Sequence, residues 1–239
     1  MKSNCSLPGL YDHPGVLAET GSTVRPGGFV LTDRAMQVCG FPPGAVVLDV
    51  GCGRGASVDR LRTAERLACV GLDPNPSMLE HAPNLPVVRG TGEALPFAGS
   101  SLDGLLCECV LGATPDPGQL LKEFHRVLKP GGRLIITDLF ARNPLPEDPP
   151  SLPMTCCFNG ARPLETHVRA ISAPGFEPCL VEDHSGLLRD LAAKIVWNHG
   201  SLTDFWTSLF PALDSDCILS RIRAIKPGLF LCIARKEIS

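Results

Sequence analysis

The sequence predicts an α/β domain built on a mostly parallel sheet with helices on both faces. Three observations carry this. Two short apolar runs, Ala45 to Asp49 and Cys69 to Asp73, each end in an acid; a glycine-rich turn joins the first run to a helical pattern; and strand-like segments go on alternating with helix-like ones up to Thr137. With 239 residues, 44% of them hydrophobic, the chain can bury a core as one domain with insertions.

The elements follow in order. Residues 1–40 are expected to form an N-terminal helical cap ahead of a core, 41–140, and a C-terminal half, 141–239. In the core, Ala45 to Asp49 is the first strand, and Ser57, Val58, Leu61 and Leu67 mark the helix after it. Cys69 to Leu72 is the second strand, followed by a helix that Pro76 starts and Met78 and Leu79 continue. Pro86 to Val88, Leu102 to Cys107 and Arg133 to Thr137 are three more strands; the last follows a helix from Gln119 to Leu128 that Pro130-Gly131-Gly132 stops. Pro144, Pro146, Pro149, Pro150 and Pro153 then make a stiff, irregular connection. Leu164 to Ile171 reads as helix and Phe176 to Val181 as strand. Gly186 to Trp197 carries a helical stripe through Leu187, Leu188, Leu191, Ile195 and Val196. Leu229 to Ala234 is the final strand, which leaves about 185–219 as a helical insertion before it.

Charge and composition exclude several classes. A net charge of −3, with no Lys/Arg run longer than two, argues against nucleic acid as a partner. Met1 to Gly15 lacks the apolar stretch of an export signal, and no run approaches the ~18 apolar residues of a membrane span. A cytoplasmic protein that spans no membrane is expected. The eleven cysteines are scattered, and neither Cys107 with Cys109 nor the adjacent Cys156 and Cys157 matches a structural zinc pattern, so reduced thiols are expected.

In Asp49-Val50-Gly51-Cys52-Gly53-Arg54-Gly55, alternating glycines follow a strand and open a helix, so the backbone can turn sharply and approach a ligand without Cβ obstruction. A dinucleotide site also uses a glycine-rich first turn and an acid about twenty residues later. Two features discriminate. The spacing is Gly-x-Gly-x-Gly, and the negative Asp49 at the strand end disfavours a pyrophosphate while suiting a ligand with ammonium and sulfonium charges. Asp73 is placed to accept hydrogen bonds from ribose hydroxyls of either ligand.

Taken together, Asp49 to Gly55, Val70 to Asp73, Gly90 to Phe97, Leu102 to Leu111 and Glu123 to Thr137 resemble the successive motifs of class I methyltransferases dependent on S-adenosylmethionine (SAM). The resemblance implies a Rossmann-like three-layer sandwich whose mostly parallel seven-stranded sheet has an antiparallel last strand. It implies that Asp49 and the Gly51-Cys52-Gly53 backbone hold the methionine end of SAM, that Asp73 holds the ribose, and that Pro74 or Met78 packs on adenine. Thr91 stands where many relatives have Asp for the adenine amino group, with Gly92 and Glu93 offering backbone contacts. Asp103, Arg126 and Lys129 to Gly132 look like scaffold. Cys107 and Glu108 end the fourth strand beside the methyl group; Glu108 is a candidate to bind a cationic acceptor or take its proton. Arg25, in the turn Thr23 to Gly28, is a candidate partner for the methionine carboxylate, and His184 a reserve base.

The segment Thr155-Cys156-Cys157-Phe158-Asn159-Gly160-Ala161 resembles that of arsenite methyltransferases, where a cysteine just before Gly-Ala binds trivalent arsenic. Cys156 or Cys157 matches it. That family's cysteine after the glycine loop is replaced within Ala56-Ser57-Val58, which leaves Cys109, Cys179 or Cys217 to complete a different thiol cluster. The expected activity is methyl transfer from SAM to a small-molecule acceptor. An NAD-binding oxidoreductase and a non-catalytic SAM-binding module are the alternatives.

Overall fold

The computed structural model describes residues 9–143 and 152–238. Two helices lead in, α1 (Pro14–Thr20) and α2 (Val30–Cys39). Strands β1 (Val46–Val50), β2 (Ala68–Asp73), β3 (Val87–Arg89), β4 (Leu102–Glu108), β5 (Leu128–Ala141), β6 (Phe176–Asp183) and β7 (Pro227–Lys236) form one seven-stranded sheet in the order β3-β2-β1-β4-β5-β7-β6. The first five pair in parallel, and β7 runs antiparallel to both β5 and β6. The last strand is thus the reversed one, as the family resemblance implies. The strand order turns outward from β1 and β4, so a crevice opens at their C-terminal ends, the usual ligand position in such sheets.

Side chains that alternate across the pleat explain why these strands read as unbroken apolar runs. Leu48, Val50, Leu105, Leu134 and Ile136 face one layer, packed with Leu120 and Phe124 of α5 (Pro117–Val127). Val47, Leu106 and Ile135 face the other, packed with Ala35 and Met36 of α2 and Val58 and Leu61 of α3 (Ala56–Thr63). Local chemistry starts the helices: the Asn75 side chain accepts from Ser77 N–H at the start of α4 (Pro76–Leu79), and Asp116 accepts from Gln119 N–H at 2.9 Å at the start of α5.

Two expectations are corrected. Pro130-Gly131-Gly132 does not separate helix from strand: β5 already begins at Leu128, paired with Leu102, and the ladder resumes at Gly104 opposite Arg133. Gly131, at φ 78°, absorbs the extra residues as a bulge without ending the pairing. The helical insertion also runs beyond residue 219, because Asp214 caps a helix whose buried residues continue to Ile225.

After α6 (Cys157–Gly160) and α7 (Leu164–Ser172), three helices separate β6 from β7: α8 (Ser185–His199), α9 (Leu202–Leu209) and α10 (Ser215–Ile225). The buried Glu19 of α1 ties α8 down, with Lys194 Nζ at 3.5 Å and His199 Nε2 at 3.1 Å, and it also accepts from the Asn198 amide. Among the described residues, no helix is long and apolar enough to cross a membrane. Pro144, Pro146, Pro149 and Pro150 of the expected stiff connection lie outside the described residues.

Candidate functional site

The glycine loop after β1 turns because three of its glycines adopt left-handed φ: 75° at Gly51, 53° at Gly53 and 79° at Gly55. A Cβ on Gly51 would run into Val110 from the loop after β4. The Gly51 and Cys52 N–H groups donate to Leu72 O at 2.7 and 3.1 Å, which fastens the loop to β2. Asp73, at the end of β2, is fixed in turn: its carboxylate oxygens accept from Gly53 N–H at 2.9 Å and Asn75 N–H at 2.8 Å. Burial pushes its pKa up, against those two bonds.

A cavity of about 780 Å³ fills the crevice. Asp49, Gly51, Cys52 and Gly53 form its floor, with Asp73, Pro74 and Met78 on one side and Thr91, Gly92 and Glu93 beyond them. The Glu93 carboxylate accepts from the Thr114 hydroxyl. Asp49 is buried, and burial pushes its carboxyl up to about 8; nearby Glu108 adds to the rise and Arg25 opposes it. Such a carboxyl favours a bound cation, whose charge would replace the lost water.

Four sequence candidates stand elsewhere or are otherwise engaged. Cys107 does not line the cavity, because strand alternation turns it into the same apolar layer as Leu105. Arg25 and Glu108 do line it, but they satisfy each other at 2.9 Å. Arg25 also donates to Thr32 Oγ1 at 2.7 Å, Ser57 Oγ at 3.1 Å and Gly28 O at 3.0 Å, while Glu108 accepts from Thr32 at 3.1 Å and Ser57 at 3.3 Å. Neither is free for the expected work: the pair clamps the N-terminal segment onto β4. His184 does not line the cavity: it follows the edge strand β6, 2.9 Å from Glu182. Arg34 also holds Glu182 and, with His184, brings its pKa down to about 2.

Other groups, missed in the sequence, do face the cavity. Arg54 Nε and Asp12 Oδ1 are buried there with no hydrogen-bond partner among the described residues. The loop spacing marks Arg54 only as a variable position, and Asp12 sits in a segment with no motif.

The two adjacent cysteines part company. Cys156 turns into an apolar cluster with Phe205, Trp206 and Leu209, and burial pushes its thiol up to about 12. Cys157 turns toward β4: its thiol lies beside Cys109 and Tyr11, and its N–H donates to Tyr11 Oη at 2.8 Å. The Cys109 contact and burial hold the Cys157 thiol well above the usual range. Cys109 adopts a left-handed φ of 58°, donates its N–H to Thr137 O at 2.7 Å and lines the large cavity, as does Tyr11. Cys179 and Cys217 are exposed and do not join the pair. Tyr11 is the one tyrosine of the chain and carries no motif around it.

Residues 48–136 match a family described as a methyltransferase domain. The whole fold aligns with phosphoethanolamine N-methyltransferase 2 of Haemonchus contortus, solved with SAM, at a TM-score of 0.71 and 18% identity over 93% of this chain and 56% of that one. Residues 48–136 are thus those of a methyltransferase domain, and the fold around them is the one such enzymes share. The chain is also 29% identical to the arsenite methyltransferase of Halobacterium salinarum over 161 residues, 58% of this chain and 41% of that protein. It is 36% identical to the demethylmenaquinone methyltransferase of Renibacterium salmoninarum over 107 residues, 43% of this chain and 45% of that protein. The chain therefore spans less than half the length of these curated relatives. The fold also aligns with a [4+2]-cyclase, SpnF, at a TM-score of 0.67 and 21% identity, over 87% of this chain and 80% of that one. The methyltransferase fold thus carries other reactions, and the reaction has to be argued from the site.

Proposed function

We propose that this chain is a SAM-dependent methyltransferase whose small-molecule acceptor is a trivalent metalloid, arsenite being the simplest, held by Cys109 and Cys157. The observation that carries this reading is that Cys157 lies beside Cys109, which lines the large cavity. Two thiols on one site suit a soft, thiophilic centre.

The residues fit SAM. Asp49 complements its positive charges, Asp73 can use its remaining lone pairs for the ribose hydroxyls, and the unpartnered Arg54 is the cation available to the carboxylate in place of Arg25. Met78 and Pro74 offer an apolar face to adenine, and the Thr91 hydroxyl, Gly92 and Glu93 its polar partners. Asp49 and Asp73 together argue against the pyrophosphate of a dinucleotide. When bound, SAM would supply an electrophilic methyl group. The chain's part is to align the acceptor with it and exclude water, which is where most of the rate in such a transfer arises. Arsenite capture balances without a base: two S–As bonds form, two As–O bonds break, and the two thiol protons leave with the hydroxides as water. The raised pKa of the Cys157 thiol is no obstacle to that exchange.

Calorimetric titration with SAM and NAD, then an arsenite methylation assay, tests the proposal. Saturable SAM binding and methylated arsenic support it; SAM binding without turnover would sink the acceptor assignment, and NAD binding alone the cofactor. Asp73→Ala should weaken SAM binding by about 1.5–3 kcal/mol, the worth of hydrogen bonds to a charged acceptor; unchanged affinity would remove Asp73 from the ribose site. The raised Asp49 carboxyl adds a pH dependence. A cation favours the ionised form, so binding releases a proton below pH 8, and SAM affinity should rise by up to about tenfold per pH unit toward pH 8 and then level off. Asp49→Asn should flatten that rise in the same titration.

A further inference from the structure

One fully buried acid stands behind the site. Asp138, near the C-terminal end of β5 and opposite Phe230 of β7, is 0% exposed and does not line the large cavity. Among the described residues its oxygens accept only from backbone: Oδ1 from Leu139 N–H at 2.7 Å and Oδ2 from Gly112 N–H at 2.8 Å. The first bond is local. The second reaches back 26 positions, to the loop after β4.

That loop is part of the cavity wall, to which it contributes Cys109, Val110, Ala113 and Thr114. Val110 also fills the space that a Cβ on Gly51 would need, so the wall abuts the glycine loop. Three bonds moor it: Cys109 N–H donates to Thr137 O at 2.7 Å, the Thr114 hydroxyl donates to Glu93, and Gly112 N–H, between them, donates to Asp138. Gly112 is pressed from its other side by α6. A Cβ on Gly160 would lie 2.3 Å from Gly112 O, and one on Gly112 would lie 2.7 Å from Cys157 O and 3.1 Å from Asp138 Oδ1. Two backbones meet there with no side chain between them, so a small shift at Gly112 moves the wall. Burying a carboxylate costs stability, and a neutral asparagine would serve only one of the two bonds, because its amide nitrogen donates.

We infer that Asp138 is a positioning residue: ionised, it latches the loop after β4 in place as a wall of the large cavity, and on taking up a proton it releases Gly112. The proton turns one acceptor oxygen into a donor, which cannot face an N–H. Of the two bonds, the one to the next residue in sequence is the easier to keep. The groups that face Asp138 do not take over its charge. Burial holds Tyr11 of the N-terminal segment and Cys107 of β4 protonated, and Cys109 together with burial does the same for Cys157 of α6. Burial brings His167 of α7, packed on Phe230, down to about 4, and Arg162 donates its guanidinium to Asn159 O and Ala161 O. Burial pushes the Asp138 carboxyl itself up to about 7, against its backbone bonds. The latch is therefore closed above neutrality and opens as pH falls through it.

NMR of the full chain reads the latch through the amide proton of Gly112. In the wild type that shift is expected to titrate with a midpoint near pH 7, and the amides of Cys109, Val110 and Thr114 to follow it; in Asp138→Asn all four should stay fixed over the same range. Arsenite methylation at saturating SAM, which removes the pH dependence that Asp49 gives to SAM binding, reads the consequence for the rate and rests on the methyl-transfer reading. The wild-type kcat should rise to a plateau as pH passes 7. The Asn variant should stay flat and about tenfold below that plateau, less than the ~100-fold cost of a 1 Å misplacement, with the KM for SAM changing less than kcat. A Gly112 amide that does not titrate near neutrality, or a pH step in kcat that survives Asp138→Asn, overturns the inference. Titrating amides without methylation of arsenite by either protein would sink the acceptor reading and leave the latch standing. If the Asn variant does not fold, the wild-type titration of Gly112 decides alone.

Discussion

Replacing either Cys109 or Cys157 by serine should lower arsenite methylation by about a hundredfold or more, with SAM affinity changing far less. Each sulfur contributes one bond to the captured centre, and the loss of one leaves a singly tethered acceptor that no longer holds its lone pair in line with the methyl group; misalignment alone costs factors of ~100. A serine oxygen is a hard ligand and does not substitute for the thiolate. Cys179→Ser and Cys217→Ser, at exposed positions, serve as controls and should leave turnover unchanged. Cys156→Ser separates capture from packing. Its sulfur faces Phe205 and Trp206, so a hydroxyl there should lower the melting temperature while arsenite methylation persists. Quantifying methylated arsenic by chromatography, together with melting curves, distinguishes the three cases. Full turnover in a Cys109→Ser/Cys157→Ser double variant would refute thiol capture.

Arg25→Met should destabilise the fold by about 3–5 kcal/mol, because it strands the Glu108 carboxylate in the interior. The Glu108 side chain is 3% exposed and Arg25 10%, so water screens the pair little. Thr32 and Ser57 retain their hydrogen bonds to the stranded carboxylate and limit the loss. The double variant Arg25→Met/Glu108→Leu removes both charges and should recover most of the stability, since well-packed apolar replacements of buried ion pairs are often neutral. Burial already pushes the Glu108 pKa up, and without Arg25 it rises further. A carboxyl whose folded pKa is raised contributes most at low pH and loses that contribution as pH rises. The deficit of Arg25→Met should therefore be largest above neutrality and shrink toward pH 4.5. Urea unfolding of the two variants at pH 5 and pH 8 measures both effects, and a deficit independent of pH would contradict the assigned cause.

Much of the proposed SAM side could be read from the sequence because its signals are local. A strand carrying Asp49 next to its last residue, glycines that must adopt left-handed φ, and Asp73 ending the next strand all lie within single elements and their turns. The acceptor side depends on contacts between distant segments. Nothing near Arg25 announces Glu108, and the reading of both as free groups failed because the N-terminal segment folds back across β4 and pairs them. Strand periodicity alone would have turned Cys107 inward, since it shares a face with Leu105. The choice between Cys156 and Cys157 required Tyr11, 146 positions from Cys157, which receives the Cys157 N–H. His184 was misjudged because a strand end in sequence does not say how far that strand lies from the crevice: β6 is the last strand in the order, separated from β4 by β5 and β7.

The reversal of β7 makes the helical segment before it separable from the sheet that holds the glycine loop. Asp183 at the end of β6 pairs with Phe230, and Pro227 at the start of β7 pairs with Ala141, so both ends of the connection that carries α8, α9 and α10 sit on the rim where β5 also ends. Had β7 run parallel, its connection would have had to return to the opposite rim, and a helical segment of any length would have crossed a sheet face. As it stands, that segment can lengthen, shorten or be exchanged without shifting one rung of the ladder beneath it. On the proposed acceptor site, one chassis could thus be refitted for different acceptors by trading a single roof, one of whose tethers is the carboxylate of Glu19.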